Sequence, residues 1–114
     1  MVVLDKKVSV EELMHIETGT FFNDMIKCVV DINRELIAVN AELHADLEEY
    51  LLLDGSAQSD LYGINMLDDG EIEFDSLINP PRNREAGYPR AGRYVADPEA
   101  RSRIEEIVDK WVIR

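Results

Sequence analysis

The chain of 114 residues has one cysteine, Cys28, six glycines, four prolines and an aromatic content of 7%. One cysteine excludes an intrachain disulfide and any all-cysteine metal site, and its place in an apolar run marks it as a small buried hydrophobe. Scarce glycine and proline exclude collagen-like and low-complexity chains. No stretch approaches the roughly 20 apolar residues needed to span a bilayer as a helix. Met1-Val2-Val3-Leu4 is too short for the apolar region of a signal peptide, so a cytoplasmic protein is expected. Basic residues are also few: 12 against 24 acidic ones, a net charge of −12 with a pI near 4.4. Such a body repels phosphate at long range, which disfavours a nucleic-acid coat or an anionic-membrane binder. Phosphate-loop, dinucleotide, paired-cysteine, two-histidine, kinase and hydrolase motifs are absent, and no cofactor is evident beyond a candidate divalent metal.

What is present suits one domain over 1–114 with one core, since 46% of residues are hydrophobic. Val2 to Leu4 reads as a short strand. Ser9-Val10-Glu11-Glu12 has the capping-box pattern, and Val10, Leu13 and Met14 give the helix that follows an apolar stripe, with Gly19 as its stop. From Met25 the period changes to two. Ile26, Cys28, Val30 and Ile32 share one face, and Glu35 to Val39 returns as an antiparallel partner. Asp46-Leu47-Glu48-Glu49 repeats the cap pattern before a second helix that Gly55 ends. Asp60 to Leu67, Asp68-Asp69-Gly70 and Glu71 to Ile78 form the clearest hairpin signal, which Pro80-Pro81 terminates. Asp97-Pro98-Glu99 opens a last helix whose buried stripe is Ile104, Ile107, Val108 and Trp111. The sum is an α+β fold: a mainly antiparallel sheet of about five strands in hairpins, with three helices, as a two-layer sandwich. Met25, Val29 and Leu36 would face outward, so a homodimer covering them is expected, or contact with another protein.

Charge is unevenly placed. Residues 1–79 carry a net −14, and 80–96 carry +3. The latter segment reads as an Arg/Gly/Pro-rich loop in which Arg82, Arg84, Arg90 and Arg93, with Asn65 and Asn79 nearby, are candidates for holding an anion. With Tyr88 and Tyr94 the same loop could stack on RNA bases, the one exception to the reading against nucleic acid.

Two clusters could carry chemistry. On extended backbone Glu42, His44 and Asp46 would project from one face, a carboxylate–imidazole–carboxylate set able to hold a divalent metal. Glu71, Glu73, Asp75 and Asn79 would line the open face of the last strand, followed at once by Arg82. If these meet, His44 and Asp75 become acid–base candidates with Arg82 binding an anionic substrate, a hydrolase-like site.

The strings Glu42-Leu43-His44-Ala45-Asp46, Asp54-Gly55-Ser56, Gly63-Ile64-Asn65, Ile72 to Asn79 and Val95-Ala96-Asp97-Pro98-Glu99 together resemble a family of small uncharacterised prokaryotic proteins. That resemblance spans most of the chain, implies a single-domain cytoplasmic protein of bacterial or archaeal origin, and carries no activity with it. The reading needing fewest coincidences is a small acidic interaction module that touches a protein partner through its sheet face or arginine loop. The hydrolase-like site comes second, and RNA or anionic-ligand binding third.

Overall fold

The structure, a computed structural model, describes residues 1–16 and 24–114. Strands β1 (Val2–Val3), β3 (Met25–Asp31), β4 (Leu36–Val39), β5 (Leu61–Leu67) and β6 (Ile72–Glu73) form one sheet. Their order is β1-β4-β3-β5-β6, and every pairing is antiparallel. A separate parallel pair joins β2 (Val8–Ser9) to β7 (Val112–Ile113). The helices are α1 (Val10–Met14), α2 (His44–Leu53), α3 (Asn79–Glu85) and α4 (Pro98–Trp111). The α+β class and the antiparallel hairpins agree with the sequence pattern.

Local chemistry explains several element ends. Both arms of the Ser9/Glu12 capping box are present at α1. Its expected stop at Gly19 lies outside the described residues. Asp97 caps α4 by accepting from Glu99 N–H at 3.0 Å. At the Asp68-Asp69-Gly70 turn Gly70 takes φ +87°, where a side chain would be strained. The β3–β4 turn has no glycine, and the buried Asp31 holds it instead. Asp31 Oδ1 accepts from the Asn33 and Arg34 amides, at 2.9 and 2.8 Å, and its Oδ2 accepts from Ser56 Oγ at 2.6 Å.

Alternation along β3 sorts the core into two parts. Ile26, Cys28 and Val30 join Ile64, Met66, Ile104, Ile107 and Val108 under α4. Val29 faces the other way, onto Ala38, Leu47, Leu51, Leu61 and Ile78 under α2. The sheet is therefore covered on both faces, which adds a layer to the two expected. Of the three residues expected to face outward, Val29 is fully buried within its own chain by α2, while Met25 and Leu36 are partly buried. The outer strands β1 and β6 are two residues each, short edges that offer little template for pairing.

The C-terminal third departs most from the sequence reading. The strand expected to run from Glu71 to Ile78 ends at Glu73. Beyond it Ser76 N–H bonds to Arg93 O at 3.1 Å rather than to a neighbouring strand. Pro80 and Pro81 then sit in the first turn of α3 instead of opening a loop, because first-turn N–H groups have no helical acceptor and proline loses nothing there. Within the segment 80–96, residues 80–85 are thus helical and the rest is turn and irregular, and the row Glu71, Glu73, Asp75, Asn79 does not exist as one face.

Candidate functional site

Where β6 stops, β5 is left with an unpaired edge, and side chains from α3 complete it. Gly63 N–H donates to Asn79 Oδ1 at 2.8 Å, and Asn79 Nδ2 donates to Gly63 O at 2.9 Å and Arg93 O at 3.0 Å. A primary amide is a peptide group in miniature, so Asn79 acts as one residue of the missing strand. Arg82 Nε continues the edge by donating to Leu61 O at 2.8 Å, and its guanidinium pairs with Glu48 of α2. Asn83 holds the next segment: its amide donates to Gly92 O, and its Oδ1 accepts from Ala96 N–H. All three are buried. Asn79 and Arg82, read from the sequence as anion-binding candidates, have their polar atoms turned onto backbone and Glu48.

The metal set fares similarly. His44 begins α2, so His44 and Asp46 lie on a helical turn and diverge rather than standing on one extended face. The expected cap role of Asp46 also fails: the cap falls three residues earlier, on Leu43, without a side-chain cap bond. Glu42 and Asp46 are exposed while His44 is buried. Among the described residues no group of three or more His, Cys, Asp or Glu is placed to hold a metal ion.

What the fold does assemble is a small pocket over the second face of the sheet. Its volume is about 150 Å³, and Lys27, Leu43, His44, Ala45, Leu77, Ile78 and Arg93 line it. Lys27 comes from β3 and His44 from the start of α2. Arg93 is placed by two bonds that end on its carbonyl, one from the Ser76 backbone N–H and one from the Asn79 side-chain amide. Its Nε pairs with Asp75 at 2.7 Å.

His44 is the polar centre. One ring nitrogen, Nε2, lies 2.7 Å from Ile64 O; a carbonyl only accepts, so Nε2 carries the proton and Nδ1 the lone pair. Burial pushes the imidazole pKa below its ordinary value, the bond to Ile64 opposes that shift, Lys27 and Arg93 lower it further and Asp75 raises it. The ring is a neutral acceptor flanked by two cations. Of the two acid–base candidates, His44 lines the pocket and Asp75 reaches it through its pairing with Arg93, while Arg82, bonded to Leu61 O and Glu48, is not among the lining residues. Asn65, the Cα partner of both Lys27 and Glu73, donates to Glu73 Oε1 at 2.8 Å, and its buried Oδ1 has no partner. Leu43 and Leu77 are 52% and 76% exposed.

The arginine segment divides. Arg84 and Arg90 are exposed, as is Tyr88. Tyr94 stands edge-on to Phe74 at 6.2 Å and under Arg101 at 5.1 Å, so its ring is already engaged within the chain. A wider depression of about 610 Å³ beside α1 includes Lys6, Glu11 and His15; two further lining residues, Ser9 and Glu12, are the capping box.

The fold defines a small α+β protein with an antiparallel sheet covered on both sides and a small, mainly apolar pocket over one of them. The chain belongs to the family described as protein of unknown function (DUF5674), whose model matches residues 2–111. No curated protein and no solved structure matches it. No helix among the described residues is long and apolar enough to cross a membrane.

Proposed function

We propose that the chain is a binding module that receives another protein on the face carrying the His44 pocket. The observation that carries this reading is the exposure of Leu43 and Leu77 at a pocket that also holds Lys27 and Arg93. Apolar side chains left in water beside buried-ready charge are what a partner's surface covers. The pocket is small against the 300–1,000 Å³ usual for drug-sized ligands, so it suits a side chain or chain end projecting from a larger partner. The test is site-specific photocrosslinking in cells of origin, with the reactive residue at position 43 or 77 and, as reference, at Glu105 on the exposed face of α4. A discrete adduct from 43 and 77 and none from 105 is expected; equal labelling from all three would refute the reading.

A second reading, acid–base chemistry at His44, is favoured by one observation: Arg93, which lines the same pocket as His44, is paired with the Asp75 carboxylate. Thermal unfolding with chelator and with zinc, manganese, magnesium or calcium tests its metal-dependent form, because a bound ion raises native stability by mass action. A metal-selective rise lost in His44→Ala would favour it; coincident curves would remove that form.

A further inference from the structure

We infer that the His44 pocket recognises the C-terminal carboxylate of a partner chain that ends in an apolar residue. This rests on the binding reading above and names the chemistry of its ligand. A volume of about 150 Å³ equals roughly five waters at about 30 Å³ each, enough for a carboxylate and a short apolar side chain and too small for a nucleotide. Lys27 and Arg93 place two cations on its wall; Arg93 already gives its Nε to Asp75, so its terminal nitrogens are what it offers a ligand carboxylate, whose two oxygens they match.

The neutral imidazole makes the choice more specific. With Nε2–H given to Ile64 O, the ring offers only an acceptor, Nδ1. A ligand that satisfies cations and an acceptor together must carry an anion next to an N–H. A chain terminus does so, since its last amide N–H is one carbon from the carboxylate, whereas a simple apolar acid has no such donor. The whole molecule supplies the remaining constraint. At a net charge of −12 an acidic peptide is repelled before contact, while a single terminal carboxylate on an apolar, uncharged chain end is not. Exposed Leu43 and Leu77 then cover the apolar side chain and the residues before it.

The experiment is a titration of isotope-labelled protein, followed by amide chemical shifts, with three probes: N-acetyl-leucine, N-acetyl-leucinamide and isocaproate. N-acetyl-leucine should saturate in the millimolar range and move the amide signals of Lys27, His44, Ala45 and Arg93. Its amide, which lacks the charge, should bind about tenfold more weakly or worse, and isocaproate, which lacks the N–H, should fall between. Arg93→Gln, at a half-exposed position, should weaken N-acetyl-leucine about tenfold and leave the amide's binding unchanged. If the amide binds as well as the acid, the carboxylate inference is overturned while the binding face stands. If isocaproate binds as well as N-acetyl-leucine, the ligand is a free apolar acid and the chain-end inference fails. If no probe moves these signals, the pocket is not a carboxylate site, an outcome separable from loss of the crosslinks at 43 and 77.

Discussion

A carbon added at Gly63 would stand 2.3 Å from Ser76 Oγ and 2.4 Å from its Cβ, and 3.2 Å from His44 Cδ2. Ser76 is fully buried, with its own backbone held by Arg93 and Asn79, so it cannot swing aside. Gly63→Ala should destabilise by about 1–3 kcal/mol, read by denaturant unfolding, and Ser76→Gly in the same chain should recover part of the loss. His44 makes a prediction about pH. Its imidazole has a folded pKa below the ordinary 6.5, chiefly through burial, so as pH falls through 6.5 the unfolded chain binds a proton that the folded chain does not. Stability is full above 6.5 and falls below it, until the folded pKa is reached. Wild type should therefore lose stability as pH falls below 6.5, and His44→Gln, which keeps a donor for Ile64 O, should show a flatter profile. Equal slopes in the two proteins would count against a buried neutral ring.

At the scale of elements, α3 is the piece that the sequence concealed. Alternation through Ile72 and Phe74 continues on paper to Ile78, and two prolines read as a stop. In the structure the stop and a helix start coincide, and the helix exists to deliver Asn79, Arg82 and Asn83 to backbone groups of β5 and of the segment after it. The legible part was the composition Asn-Pro-Pro-Arg-Asn, a first-turn proline signal followed by residues able to bond backbone. What was not legible was the end of β6, because that depends on which acceptor Ser76 N–H finds. The contrast between two neighbouring arginines tests this account. Arg82 is 4% exposed and joined to Leu61 O and Glu48, whereas Arg84 is exposed. Arg82→Ala should cost about 3–5 kcal/mol, since it leaves Glu48 without its partner, and Arg84→Ala within about 0.5 kcal/mol, both from urea midpoints.

For the molecule as a whole, helices cover both faces of the sheet, and the charge becomes the dominant global property. A body at −12 repels itself, and salt screens that repulsion over about 10 Å at 0.1 M. The unfolding midpoint should rise as sodium chloride increases from ~0.01 to ~0.5 M. A midpoint that falls would mean that the ion pairs at Arg34–Asp54, Arg93–Asp75 and Arg103–Glu35 outweigh the net repulsion.

The sequence by itself determined the α+β class, the antiparallel hairpins, the capping box at Ser9 and the Asp97 cap, because periodicity, caps and turn residues act through neighbours a few positions apart. It also marked His44, Asp75 and Arg93 as residues able to do chemistry. Only the tertiary structure decided which of them meet. Glu42 and Asp46 left His44 once its backbone proved helical; Arg82 and Asn79 were drawn to an open strand edge. Lys27, Leu43 and Leu77 joined the pocket from positions 27, 43 and 77, a convergence that no local spacing encodes. Whether a polar side chain is left for a ligand depends on what buried backbone groups nearby still require, and that is settled when distant segments pack.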